Sequence, residues 1–241
     1  MHHVQNLEHF MDLNMKLKRK IFIKLAICLA AGLWISSIGG CTLVIAQNIT
    51  AQGNYRPSLF FREDWKEIPA ATPVTQQHVF NSDLLLNLYG PGCDSIKKSH
   101  HETPVDDPYY IWSGLCLGNW AVTLKHKTSY VDLSGYSKIV WRTKQIGTRE
   151  LHIILKLSDG TWLVSDKCDG ASKDWRIHEF NLADINWYRL DIKSVVEGLP
   201  AVGPDLSKVD EIGFTDLMRG GQSNACSRLD WIEVYGKPVM R

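Results

Sequence analysis

The sequence predicts an all-β fold, a two-sheet antiparallel β-sandwich of the jelly-roll kind, and three observations carry that reading. Beyond residue 46 no segment keeps a helical period for longer than about two turns. Short runs rich in β-branched and aromatic residues recur at spacings of about 10 to 12 residues. Turn signals such as Gly90-Pro91-Gly92, Ser158-Asp159-Gly160 and Asp169-Gly170 separate them. Two sheets packed face to face over about 10 Å accommodate strands of this length and number.

In chain order the expected strands are 58–61, 78–80, 83–90, 109–114, 119–126, 138–145, 150–157, 161–166, 174–181, 210–217 and 227–236. Alternation assigns their faces. In 150–157, Leu151, Ile153, Leu155 and Leu157 point one way, toward the core, while His152, Ile154 and Lys156 point the other. The stretch 182–206 is the one long segment without a strand pattern and is expected to be a loop with a helical turn. No internal repeat or low-complexity linker interrupts the chain, so 55–238 reads as a single β-sandwich domain after a short linker at 47–54.

Residues 1–46 read as an n-region extension and a signal peptide. A basic cluster (Lys16, Lys18, Arg19, Lys20, Lys24) precedes an apolar run at 25–38 and then small residues, the order of a secretory signal. Initiation at Met11 or Met15 would give a signal of ordinary length. Cleavage after Ala46, lipid modification of Cys41 and an uncleaved anchor are the three outcomes, and each leaves the remainder outside the cytoplasm. Membrane contact is then expected only through the signal or a lipid on Cys41.

The chain of 241 residues has 27 Lys and Arg against 26 Asp and Glu, which removes any bulk-charge case for nucleic acid. Five of the basic and two of the acidic residues precede residue 47, leaving 22 against 24 in the exported part. That part keeps Cys93, Cys116, Cys168 and Cys226, and an even count in an oxidising compartment points to two disulfides, with three pairings open. Cys93 with Cys116 and Cys168 with Cys226 is one of them. No CxxC spacing supports a zinc alternative.

Three segments in order carry a family resemblance: VDLSGYSKIVWRTK (131–144), DWRIHEFNLADINW (174–187), and DLSKVDEIGF with RLDWIEVYG (205–214 and 228–236). They resemble galactose-binding-like β-sandwiches, a layout shared by carbohydrate-binding modules and the complex I intermediate-associated protein 30 domain. The resemblance covers roughly the last 110 residues and implies a fold more specifically than a function. The opening SLFFREDWKE (58–67) is similar instead to the start of secreted concanavalin-like domains described as glycoside or 3-keto-glycoside hydrolases.

Eight of the nine Trp fall in the exported part. Core packing accounts for several of them, and Trp112, Trp120, Tyr109, Tyr110 and Trp162, at strand ends beside polar loops, are the candidates for stacking against a pyranose ring. The densest polar constellation is IKKSHHETPVDDPYYIWSG, which holds His100, His101, Asp106 and Asp107 and reads as a solvated loop or a binding or catalytic loop. A basic strip of Arg142, Lys144, His152 and Lys156 on outward strand faces suits a carboxylate, as in jelly-roll polysaccharide lyases. Glu63, Asp64 and Asp230 are placed together by the resemblance, whose first and last strands are adjacent, as ligands of a structural calcium; no other cofactor is expected.

The expectation is therefore a secreted or surface-anchored domain that binds polysaccharide or oligosaccharide, with acidic glycans as a candidate class. A glycan-active lyase or hydrolase using His100, His101, Asp107 and His152 is the alternative, and a structural role at the cell surface the third. No phosphate loop, nucleophile elbow or HExxH motif occurs.

Overall fold

The computed structural model describes residues 56–220 and 224–241. The signal segment, Cys41 and the 47–54 linker lie outside the described residues. The strands of the first half are β1 (Leu59–Glu63), β2 (Leu84–Tyr89), β3 (Lys97–Ser99), β4 (Tyr110–Trp112), β5 (Ala121–His126), β6 (Ser129–Asp132) and β7 (Lys138–Thr143). Those of the second half are β8 (Leu151–Leu157), β9 (Trp162–Asp169), β10 (Arg176–Asn181), β11 (Trp187–Asp191), β12 (Val196–Pro200), β13 (Val209–Thr215), β14 (Arg228–Tyr235) and β15 (Lys237–Met240).

These strands form two antiparallel sheets. The six-stranded sheet runs β10-β7-β14-β4-β3, with β1 also paired to β14. The nine-stranded sheet runs β12-β11-β9-β8-β13-β5-β2, with β6 beside β13 and β15 beside β6. First and last predicted strands do lie together: Arg62 faces Glu233 and Glu63 faces Ile232 across β1 and β14.

The predicted alternation of β8 holds. Leu151, Ile153, Leu155 and Leu157 join the main core, while His152 and Lys156 are half-buried on the outer face. Trp65, Trp120 and Trp141 are the largest fully buried side chains. Trp120 meets Phe214 edge-on at 6.0 Å and Trp141 meets Phe180 at 5.0 Å, so the core is anchored by aromatic pairs. Ile154 belongs to a second apolar cluster on the outer face of the nine-stranded sheet, with Ala121, Val164, Leu190 and Val195.

Several boundaries differ from the sequence reading. The 182–206 stretch supplies β11 and β12 rather than a loop alone, and the expected strand at 78–80 is instead the end of a 3-10 turn at Gln76–His78 and the two residues after it. β12 is exposed at every position and has no apolar period to announce it. β3, β6 and β15 are three or four residues long, too short for alternation to stand out.

One buried carboxylate spans the two sheets. Asp169, fully buried at the end of β9 in the nine-stranded sheet, accepts hydrogen bonds from the Trp141 indole and the Thr143 hydroxyl on β7 of the other sheet. Arg176 on β10 donates to the same carboxylate through Nε at 2.9 Å, and Nη2 adds a second contact. Removing the carboxylate leaves a guanidinium without its ion partner and an indole N–H without its acceptor. Asp169→Ala is therefore expected to lower the unfolding free energy by about 3 to 5 kcal/mol in urea denaturation; a loss below about 1 kcal/mol would mean the sheets do not need this tie.

Candidate binding groove

On the outer face of the six-stranded sheet, β1, β14 and β7 present Arg62, Trp231 and Arg142, and two loops rise beside them. Together they enclose a groove of about 1090 Å³. One loop, 64–68, is fixed from beneath by Glu63. Its buried carboxylate accepts backbone N–H bonds from Trp65 at 2.8 Å, Phe80 at 2.7 Å and Asn81 at 2.9 Å. Burial raises the Glu63 pKa in spite of these donors. Trp65 itself sits at φ +56°, a left-handed conformation costly for a bulky side chain, and its buried ring together with the Glu63 bond holds it there.

The other loop, 100–109, is closed on itself. Asp107 accepts bonds from the backbone N–H of His101 at 2.8 Å and from its Nδ1 at 2.9 Å, while His100 Nδ1 donates to the Asp107 carbonyl at 3.0 Å. The His100 ring stacks on Tyr109 at 4.0 Å, and the Lys98 ammonium lies 3.8 Å from the same ring centroid. Lys98 is wholly buried and bonded to the Ile68 carbonyl; desolvation lowers its pKa to about 8.

A bulge forms the floor. In the β14–β7 pairing the register slips between Leu229 and Trp231, so Asp230 and Trp231, adjacent in sequence, both line the groove. Arg142 Nη1 donates to Asp230 at 2.7 Å, and burial pushes the Asp230 carboxyl up to about 6 against that partner, with a smaller push from the nearby Asp64. Arg62 donates to both Asp64 and Glu233 and packs 4.4 Å from the Trp231 ring centroid. Phe80 and Val105 stand at the groove 65% and 96% exposed.

The groove thus gathers His100, Asp107, Tyr109, Arg142, Asp64 and Asp230, which the sequence had placed in four separate sets. It also uses Arg62, Phe80 and Trp231, which the sequence reading missed. The available signal for Trp231 was its adjacency to Asp230 in the last long strand, but strict alternation would have put the two on opposite faces.

Other expectations need correction. Trp120 and Tyr110 are 1% and 2% exposed and belong to the packed interior rather than to a stacking surface. Trp112 is half-buried with its ring over Gly114, where a Cβ would stand 2.0 Å from the indole. Trp162 is on the opposite side of the molecule, on the outer face of the nine-stranded sheet, edge-on to Tyr89 at 5.0 Å.

The expected basic strip does not form, because Arg142 lies on β7 of the six-stranded sheet with Lys144 just after it, whereas His152 and Lys156 lie on β8 of the nine-stranded sheet; Arg142 pairs with Asp230, Lys144 with Asp174 and Lys156 with Glu211. His152 turns its Nδ1 to the Ser165 carbonyl. The three carboxylates of the expected calcium set are engaged by other partners, Glu63 by backbone N–H donors and Asp64 and Asp230 each by an arginine. Among the described residues the set that converges as metal ligands is Glu150, His152 and Cys168.

Among the described residues Cys93, Cys116, Cys168 and Cys226 stand as free thiols, and neither of the two expected disulfides is present. Burial raises the Cys116 thiol to about 12, with a smaller push from the neighbouring Cys93. Cys168 stands beside Glu150, and Cys226 is buried where its backbone bridges Ile146.

No protein-family model and no curated protein matches the sequence. Solved structures are similar at low identity. A family 29 carbohydrate-binding module complexed with mannohexaose shares 13% identity and a TM-score of 0.41, covering 76% of this chain and 95% of that one. The family 11 carbohydrate-binding module of a cellulosomal cellulase of Clostridium thermocellum shares 12% and a TM-score of 0.38, covering 75% and 94%. The glycoside hydrolase domain of Endo-D from Streptococcus pneumoniae reaches a TM-score of 0.34 at 12% identity, covering 63% of this chain and 21% of that one. Likeness of this degree assigns neither a family nor a ligand to this chain.

Proposed function

We propose that this is an exported carbohydrate-binding domain and that the groove on the six-stranded sheet receives the sugar chain. The observation that carries the reading is the pairing of apolar and planar polar surface in one groove. Phe80 and Val105 are large apolar groups left exposed beside it, and Trp231 lies on its floor between carboxylates and guanidinium groups. A pyranose needs both kinds of surface: axial C–H groups pack on an aromatic face, and ring hydroxyls bond to groups with fixed geometry. Export is supported by the leader pattern of the first 46 residues.

The charge balance bears on which glycan. Asp64, Glu67, Asp106, Asp107 and Asp230 line the groove against Arg62, Lys66 and Arg142, and both arginines are already paired with carboxylates. A polyuronate would meet excess negative charge there, so neutral chains are the favoured class over the acidic ones first expected. Retention of the purified chain on neutral and acidic polysaccharides tests this. Trp231→Ala and Phe80→Ala are each expected to weaken retention about 5- to 10-fold, the scale of an aromatic contact worth about 1 kcal/mol or slightly more, with Trp162→Ala unchanged. Equal weakening by Trp162→Ala would place the site on the other sheet.

Glycan cleavage in the same groove is the second reading, favoured by one observation: Asp230 holds its proton to about pH 6 beside Asp64. The same retention mixtures, assayed for new reducing or unsaturated ends, separate the two readings. The Asp230 shift also has a consequence for stability. A carboxyl whose pKa is raised on folding favours the folded state while protonated, and that contribution is lost as pH rises from about 4 through about 6. Between these values wild-type stability should fall with rising pH by on the order of 1 kcal/mol per unit relative to Asp230→Asn; parallel pH profiles of the two proteins in urea denaturation would contradict it.

A further inference from the structure

On the outer face of the nine-stranded sheet, away from the groove, a carboxylate, an imidazole and a thiol come together. His152 on β8 and Cys168 on β9 face each other directly across the antiparallel pair. Glu150 lies two residues before His152, which puts it on the same face. One ligand atom from each of the three lies within 4.8 Å of the others, and the Cys168 thiol is hydrogen-bonded to Glu150.

The backbone around His152 fixes which nitrogen is free. Between His152 and Ile154 the β8–β9 register slips: His152 is opposite Cys168, whereas Ile154 is opposite Val164. The extra residues of β9 form a bulge whose inner side chain, Ser165, is buried and accepts the Ile153 N–H at 3.0 Å. This aims the Ser165 carbonyl at the imidazole, 2.8 Å from Nδ1. A carbonyl only accepts, so Nδ1 carries the proton and Nε2 keeps its lone pair. An imidazole held in one tautomer by a backbone carbonyl is the orientation in which histidine binds metals.

We infer that Glu150, His152 and Cys168 form a three-ligand site for a borderline-soft divalent ion, zinc(II) in the first instance, with a fourth position open to water or to another ligand. The donor set of one carboxylate oxygen, one imidazole nitrogen and one thiolate is of the kind zinc takes, at bond lengths of about 2.0 to 2.3 Å. Ligand atoms around such an ion stand about 3.3 to 3.8 Å apart. Closing from 4.8 Å therefore asks for a movement of about 1 Å, within rotamer adjustment of the exposed Glu150. Binding releases the thiol proton, which passes to solvent. The sequence conceals the site because two of its ligands meet across strands, sixteen residues apart in number, and not through a CxxC or HExxH spacing.

The test uses the full chain, purified with reductant and stripped by a chelator, titrated with zinc(II) and separately with cobalt(II). One ion per chain is expected with a thiolate-to-cobalt charge-transfer band, and Cys168→Ser should abolish that band. Cys168→Ser and His152→Ala should each weaken zinc binding by more than about 10-fold, the least that loss of even an outer-shell partner costs. If Cys168→Ser fails to fold, His152→Ala alone decides through the zinc titration and the loss of zinc-induced thermal stabilisation. Cobalt binding without a charge-transfer band, zinc affinity unchanged in the variants, or recovery of Cys168 in a disulfide from protein purified without reductant would each overturn the site.

Discussion

The constraint on which the architecture depends is the burial of the Asp169 carboxylate between two sheets. Asp169 belongs by chain position to the nine-stranded sheet, but Trp141, Thr143 and Arg176, three of its hydrogen-bond donors, belong to the other. A charge enclosed in an apolar interior is tolerated only when donors converge on it, and here these come from β7 and β10, so satisfying Asp169 also sets how the sheets face one another. The residue before it, Cys168, then points outward beside His152, and β7 carries Arg142 to the groove on the opposite surface. Each outer face therefore inherits its geometry from the same buried tie.

Two β-bulges do the remaining positioning. The one in β14 turns Asp230 and Trp231 together into the groove, and the one in β9 turns the Ser165 carbonyl onto His152. Elsewhere on the nine-stranded face the aromatic side chains are already paired. There Gly213 contributes no side chain, and the cross-sheet aromatics Tyr89 and Trp162 pack against each other, with Tyr89 also bonded to Glu211 at 3.0 Å. That face satisfies its own aromatic surface. The six-stranded face instead leaves Phe80 and Val105 open to solvent.

Much of the fold was legible in the sequence because it depends on local periodicity. The β8 pattern read correctly residue by residue, and the pairing of first with last strand followed from the resemblance. β12 was invisible because every side chain in it is exposed, and β3 because three residues cannot display a period. The site was legible only in pieces. His100, Asp107, Arg142 and Asp230 stood out as residues of the right chemistry, yet what unites them is a loop closed by Asp107 and a register slip at Asp230, neither of which a residue pattern encodes. The basic strip misled for a related reason: its cations come from two successive strands, β7 and β8, which the fold sends to different sheets, and carboxylates from elsewhere neutralise them, Asp230 beside Arg142 and Glu211 beside Lys156.

The central claim is that ligand enters the groove of the six-stranded sheet. The most direct measurement is a nuclear magnetic resonance titration of the isotope-labelled protein with a neutral oligosaccharide, following the tryptophan indole N–H signals. Progressive shifts at the Trp231 indole, with that of Trp162 unmoved, are the predicted result. Shifts centred on Trp162 and the backbone around Tyr89 and Tyr188, with Trp231 unmoved, would contradict the account and transfer the binding surface to the nine-stranded sheet.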